Sequence, residues 1–221
     1  MTKVKLVSYS QQPEGHGKLH EFIAYCARVS NPSNQNNKKT SEKLLEYLIK
    51  ENHWSPFEMV SACLEIETTR DIARQILRHR SFSFQEFSQR YADPVNNLKE
   101  SPRREARLQD TKNRQNSLET EDLRLSIQWA SQQNQVIQKS IDAYNWAIKN
   151  GIAKEQARAV LPEGLTNTRL YMNGTLRSWM HYILLRRENG TQKEHAEIAK
   201  TCEAVIAQEL GDINWLEFNN D

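Results

Sequence analysis

The sequence predicts an α+β fold in one domain. Three observations carry that prediction: apolar and polar residues alternate over Met59 to Thr69, apolar residues recur at spacings of four and three over Leu123 to Ile148, and no internal repeat or low-complexity linker interrupts the chain. Its 221 residues suffice for one sizeable domain and are marginal for two, so residues 1–221 are taken as a single unit. Lys3 to Tyr9 is β-prone, and a turn rich in Pro13, Gly15 and Gly17 follows. From Lys18, Leu19, Phe22, Ile23 and Cys26 recur at helical spacing. Asn31 to Ser41 is a polar loop in which Thr40 or Ser41 can cap a helix carrying Leu44, Leu45 and Leu48. Pro56 ends that region. Val60, Ala62, Leu64 and Ile66 then line one side of a strand, with Glu65 and Glu67 on the other.

Asp71 to Arg80 reads as a helix. A polar excursion over about 92–122, with Pro94, Pro102, Arg103 and Arg104, is expected to be mobile or partly helical. The long helix after it joins Leu123, Ile127, Ala130, Asn134, Ile137, Ile141, Tyr144 and Ile148 in one narrow seam, stopped at Asn150-Gly151. Such a seam more commonly packs into its own core; a subunit contact is the sharper reading. A short helix reaches Pro162, a turn carries Gly164 and Gly174, and a helix runs from about Thr175 to Glu188, where Gly190 stops it. A last amphipathic helix covers about Gln192 to Leu210.

Composition removes several function classes. Hydrophobic residues are 38% of the chain and mean hydropathy is −0.80, so the surface is polar. The longest apolar run, Phe22 to Ala27, is far too short to cross a membrane. Lys3 and Lys5 interrupt Val4, Leu6 and Val7, so no signal peptide is expected. A net charge of +2 is too balanced for a general polyanion binder. Cys26, Cys63 and Cys202 are odd in number and far apart, which fits a reducing cytoplasm and neither a disulfide framework nor a zinc ribbon. Gly15-His16-Gly17 lacks the third glycine of a dinucleotide-binding turn, and there is no P-loop, His-Asp pair or HExxH, so no metal site is expected.

Two clusters point to chemistry. On the helix from Asp71, Ile72, Ala73, Ile76 and Leu77 share one side, while Arg74, Gln75 and Arg78 fall on the opposite arc. In the following SFSFQEFSQRY, Glu86, Ser88 and Arg90 are two apart, so an extended backbone aims all three to one side. A carboxylate, a hydroxyl and guanidinium groups suit a polar ligand carrying an anion; a buried ion network is the alternative. Further along, Arg177 and His181 share a helix face, and Arg186 lies about half a turn round and roughly 13.5 Å further along the axis. One small ligand would hardly touch both sets, and two would. Charge at a helix C-terminus also accounts for Arg186-Arg187, and a satisfied core histidine for His181.

Arg78-His79-Arg80, then seven residues, then Ser88 resembles the signature of the flavin-dependent thymidylate synthases. Gln75, Glu86, Arg90 and Tyr91 support the match. So do His53-Trp54-Ser55-Pro56-Phe57-Glu58, Ala157 to Pro162, and the helix from Thr175 to Arg186. The resemblance covers roughly residues 50–92 and 150–200. It implies a mixed β-sheet with several long helices, assembled as a homotetramer whose active sites are shared between subunits. It implies conversion of dUMP to dTMP, with methylenetetrahydrofolate as carbon donor and FAD, reduced by NADPH, as hydride source. That raises the odds of the Leu123–Ile148 seam being an interface.

Carried over by position, Gln75, Arg78, Glu86, Phe87, Ser88, Gln89, Arg90, Arg158 and Arg186 would bind dUMP, Phe87 and Gln89 through their backbones. Ser55, Glu58, Arg78, His79, Arg80, Thr175, Arg177 and His181 would hold FAD. Arg186 and Ser88 are the implied catalytic residues. His53 is either a loop histidine before Pro56 or part of the folate and flavin pocket. Two positions depart from many relatives. Gln89 replaces a glycine, which matters if the backbone there needs a positive φ. Thr175 stands where several relatives have Asn, with Asn173 as its competitor. The residues agree with such a mechanism in one respect. All three cysteines sit in core patterns, and Ser88 lacks an evident Ser-His-acid set, leaving electrostatic stabilisation of ionised uracil by an arginine. By resemblance that arginine is Arg186. The rival is a non-catalytic nucleic-acid binder using arginines and the aromatic residues Phe82, Phe84, Phe87 and Tyr91 within the 74–91 segment. Near-neutral total charge counts against it.

Overall fold

The computed structural model describes residues 3–11, 17–98, 102–188 and 190–210. The Pro13–Gly15 part of the first turn lies outside them. In chain order the elements are β1 (Lys3–Tyr9), α1 (Leu19–Ala27), α2 (Ser41–Lys50), β2 (Ser61–Thr69), α3 (Arg70–Ile76) and β3 (Ser83–Glu86). Then come α4 (Pro94–Asn97), β4 (Arg107–Gln109), β5 (Ser117–Glu119), α5 (Leu123–Lys149) and α6 (Lys154–Ala157). β6 (Asn167–Thr175), α7 (Leu176–Arg186) and α8 (Lys193–Leu210) complete the order. β1, β2, β6 and β3 form an antiparallel sheet in that spatial order, and β4 pairs with β5 as a small hairpin.

Period-two patterning decides the sheet. Leu64 and Ile66 of β2 and Leu170 and Met172 of β6 are completely buried on one face. Each such side chain contributes about 1.5–3 kcal/mol by leaving water. On the opposite face Glu65 accepts a hydrogen bond from the Tyr171 hydroxyl at 2.8 Å, and Glu67 pairs with Arg169. α1, α3, α7 and α8 cover the apolar face, with Trp179 at the centre donating its indole N–H to the Ala62 carbonyl at 3.0 Å.

The structure corrects the sequence reading in three places. The segment read as a turn between Gly164 and Gly174 contains β6, the partner of both β2 and β3. Its alternation is masked by Arg169, Asn173 and Gly174, and it becomes a strand through long-range pairing. Gly174 is needed for space rather than for φ, because an added Cβ would lie 2.7 Å from the Phe82 ring carbon Cε1. Second, α3 ends at Ile76, so Arg78, His79 and Arg80 lie in the turn that brings Phe82 into the core. Third, β3 ends at Glu86, and the chain turns over 89–91. Glu86, Ser88 and Arg90 are therefore not aligned on one extended backbone.

The α5 seam divides. Tyr144 and Ala147 are buried against Ala157, with Ile148 and Leu161 packed beside them, whereas Leu123 is 77% and Ile127 70% exposed. Asp122 caps the helix by accepting from the Leu125 N–H, and Gly151, with φ of +76°, follows its end. The 92–122 stretch contains α4, capped by Asp93, and the β4–β5 hairpin.

Candidate active site

β2 and β6 are antiparallel with Ser61 opposite Thr175 and Thr69 opposite Asn167, so α7 and α3 leave the sheet at opposite ends. Both pack into the same apolar cluster. That topology creates two polar groups, one at each end of α7.

At the N-terminal end, Thr175 caps α7 through the Ser178 N–H. Arg177 donates from Nη1 to Glu58 Oε1 at 2.9 Å, Glu58 coming from the 3-10 turn Ser55–Met59 that precedes β2. A hydrogen bond from Thr175, opposed by partial burial and joined by Arg177, holds the Glu58 carboxyl below its ordinary value. His181, one turn further, packs on Trp54 with ring centroids 4.9 Å apart. Burial lowers its pKa first and the Arg177 charge lowers it further, against the opposing effect of Glu58. Ser178 Oγ donates to the Ser81 carbonyl and ties α7 to the loop that follows Arg80. Thr175, rather than Asn173, therefore joins Glu58 and Arg177; Asn173 is exposed within β6, opposite Cys63 and Ser83. Ser55 and His53 are exposed nearby in sequence, His53 edge-on to Tyr47. An arginine on a capped helix N-terminus beside an indole and an imidazole fits the phosphates and the planar ring of a flavin dinucleotide.

At the other end, Arg186 donates from Nε to His79 Nε2 at 3.0 Å. Burial, then the charges of Arg186 and Arg78, pull His79 down to about 4, so its ring is neutral and accepts. Gln75 lies beside this pair through His195, which stands 6.3 Å from His79 between ring centroids. Arg78 and Arg80 are exposed on either side of His79.

A third group collects around Glu155. Its carboxylate pairs with Arg90 at 3.3 Å, and its carbonyl accepts from Arg158 Nε. Ser88 Oγ accepts from the Arg90 N–H, and the Phe87 N–H donates to the Arg169 carbonyl. Glu86 turns elsewhere: Arg70, itself buried, reaches it at 3.4 Å and the Thr168 hydroxyl donates to it at 2.9 Å. Gln89 needs no positive φ, since Asn52 is the one non-glycine residue with such an angle among the described residues. Its side chain is buried, and its Nε2 has no hydrogen-bond partner among them.

His195, Tyr182 and Arg70 are the polar residues that sequence reasoning missed. They occupy ordinary helix or strand-end positions, and Gln192-Lys193-Glu194-His195 carries no spacing that marks a site. Burial raises the thiols of Cys26, Cys63 and, most strongly, Cys202, so none is a ready thiolate. Among the described residues no group of three or more His, Cys, Asp or Glu side chains is placed to hold a metal. No helix is long and apolar enough to cross a membrane, again among the described residues. Of the four aromatic residues that stacking on bases would use, Phe82 is buried against Trp179, Phe84 and Phe87 are half-buried, and Tyr91 alone is exposed.

The likeness to known proteins runs over nearly the whole chain. The chain matches the thymidylate synthase complementing protein family over residues 5–210. It is 49% identical over 210 residues to the probable flavin-dependent thymidylate synthase of Paramecium bursaria Chlorella virus 1, covering 95% of each chain. To the flavin-dependent thymidylate synthase of Synechocystis sp. it is 52% identical over 209 residues, covering 93% of this chain and 91% of that one. Among solved structures, the UMP/dUMP methylase PolB from Streptomyces cacaoi bound with 5-Br dUMP has a TM-score of 0.73 at 25% identity, covering 95% of this chain and 91% of that one.

Proposed function

The chain belongs to the flavin-dependent thymidylate synthase family, and from that premise we propose that it methylates dUMP reductively to dTMP with a division of labour between the two ends of α7. The single observation that carries the reading is Arg186. Among the described residues it engages only its Nε, on the neutral ring of His79, and keeps both Nη groups for a ligand.

In this reading Arg186 faces the pyrimidine. Its cation stabilises negative charge developing along N3 and O2, which raises electron density at C5 without a covalent bond from the protein. The elevated thiols of all three cysteines support that non-covalent route. Gln75, Arg78, Glu86, Ser88, Arg90 and Arg158 bind and orient dUMP, Phe87 and Gln89 add backbone contacts, and Arg90 and Arg158 form the anion-binding pair. Arg70 and Thr168 aim the Glu86 carboxylate. Ser88 orients substrate and does not act as a nucleophile. Ser55, Glu58, Arg78, His79, Arg80, Thr175, Arg177 and His181 would hold FAD, with His53 at the folate and flavin pocket. FAD supplies the hydride when bound; methylenetetrahydrofolate supplies the carbon and NADPH the reducing equivalents. The Arg177–Glu58 pair fixes the position of the arginine, and neutral His181 packs beside it without adding a second positive charge.

The group around Glu155 stands on α6 and the turn after β3, apart from the two ends of α7, which supports a homotetramer with sites completed between copies. The reading places the enzyme in the cytoplasm, where its three free thiols stay reduced. The test is Arg186→Ala. The variant should keep flavin absorbance and NADPH-dependent bleaching while dTMP formation disappears. Persisting turnover removes Arg186 from uracil activation, and a wild-type protein that takes up no flavin removes the reading as a whole.

A further inference from the structure

A buried histidine beside the nucleotide group has no role in the account above. His195, in the first turn of α8, is completely buried between Tyr182 of α7 and Gln75 of α3. Its Nε2 lies 3.1 Å from the Tyr182 hydroxyl and its Nδ1 3.2 Å from Gln75 Oε1. Gln75 donates from Nε2 to Gln192 Oε1 at 2.8 Å, and Gln192 donates from Nε2 to Glu194 Oε2 at 2.9 Å. Five side chains from three helices and the loop before α8 thus form one hydrogen-bonded line, Tyr182, His195, Gln75, Gln192 and Glu194.

The acidic end sets the direction of the whole line. A carboxylate only accepts, so Gln192 turns its amino group to Glu194 and its oxygen to Gln75. Gln75 must then turn its amino group to Gln192 and its oxygen to His195. His195 carries its proton on Nδ1, and the Tyr182 hydroxyl donates to Nε2. The reverse order would aim an amide oxygen at a carboxylate. Burial, then the Arg186 charge, and His79 once it takes up a proton at lower pH, keep the imidazole neutral, at a pKa of about 3.

We propose that His195 is a positioning residue for the nucleotide site: by donating Nδ1–H to Gln75 Oε1 it locks the Gln75 carboxamide in one of its two orientations. The proposal rests on the reading that Gln75 binds dUMP. A carboxamide has two N–H donors and two oxygen lone pairs. Gln192 takes one donor and His195 one lone pair, so Gln75 offers the nucleotide one N–H and one lone pair in fixed places. An amide so held loses little orientational freedom on binding, which is an affinity gain from preorganisation. His195 itself touches no substrate in this scheme.

Calorimetric titration of dUMP into the flavin-loaded protein measures this apart from turnover. His195→Leu removes the donor and should weaken dUMP binding about tenfold, raising KM for dUMP by about the same factor with kcat within about twofold. His195→Asn keeps an N–H donor near Nδ1 and should bring the affinity back to within about threefold of wild type. In a Gln75→Ala background, His195→Leu should change dUMP affinity by less than about twofold, because the group it acts through is gone. Unchanged dUMP affinity in His195→Leu, equal losses in the Leu and Asn variants, or full additivity with Gln75→Ala each overturns the proposal. Should His195→Leu fail to fold, Glu194→Gln addresses the same line from its acidic end, where Arg104 also pairs with the carboxylate at 3.1 Å. Losing the acceptor-only terminus lets the amides turn over and should weaken dUMP binding about threefold; unaltered affinity overturns the proposal. Wild-type protein that binds no dUMP refutes the functional reading itself, whatever the His195 variants do.

Discussion

His79 sits between two exposed arginines and accepts a hydrogen bond from a third, and this environment sets its charge. Burial, followed by Arg186 and Arg78, lowers it from 6.5 to about 4. Between those values the unfolded chain binds a proton at this position and the folded chain does not. The contribution of this histidine to stability is therefore complete above about pH 6.5 and is lost as pH falls towards 4, with His195 extending the loss to lower pH. Carboxylates titrate in the same window, so the expected outcome is a difference: His79→Asn should lose less Tm than wild type between pH 6.5 and 4.5 in thermal melts. Equal slopes would mean that His79 is charged in the folded protein. At this scale the residues of the Arg78–Ser88 signature were legible, since their types and gap are written in the chain. Their partners were not, because Glu86 with Arg70, Arg186 with His79 and Gln75 with His195 meet only through folding.

Among the elements, α7 carries the most of the site, and its start depends on β6. Strand and helix share Thr175, which ends the β6 pairing opposite Ser61 and caps the first turn of α7. Gly174, one residue earlier, lets the Phe82 ring pack against the strand, and Phe82 in turn touches Trp179 and Tyr182. Gly174→Ala should destabilise by about 1–3 kcal/mol through overpacking, roughly 2–4 °C of Tm per kcal/mol in a chain of this size. Flavin uptake should weaken in parallel, because the same shift displaces Thr175 and Arg177. A variant as stable as wild type would show that Phe82 can move aside. Helices α1, α2, α5 and α8 were readable from apolar period alone. β6 was not: a half-buried strand bearing Arg169, Asn173 and Gly174 has no local signature, and only its neighbours β2 and β3 make it one.

For the molecule as a whole, the informative surface is the exposed apolar part of α5. Leu123, Ile127, Trp129 and Trp146 are exposed on one long helix, whereas the main core lies around the sheet. Such an exposed apolar surface is of the kind that contacts another chain, and the proposed tetramer would cover it. Leu123→Glu combined with Ile127→Glu should lower the sedimenting mass below four chains and abolish most dTMP formation, while the far-ultraviolet circular dichroism stays that of a folded protein. Each residue removes about 1.5–3 kcal/mol of burial from such an interface. An unaltered mass would place the contact elsewhere.

The sequence by itself determined the class of the fold, most of its helices, the strand at β2 and the residue types available for an anionic nucleotide and a flavin. Those properties follow from local periodicity and from motif spacing, both carried by neighbours along the chain. Only the tertiary structure decided that α3 stops at Ile76, that Glu86 turns to Arg70, and that a neutral histidine pair stands behind Arg186 and Gln75. Each depends on groups from distant segments meeting in a buried space, where charge, tautomer and amide orientation are set by whichever partner arrives.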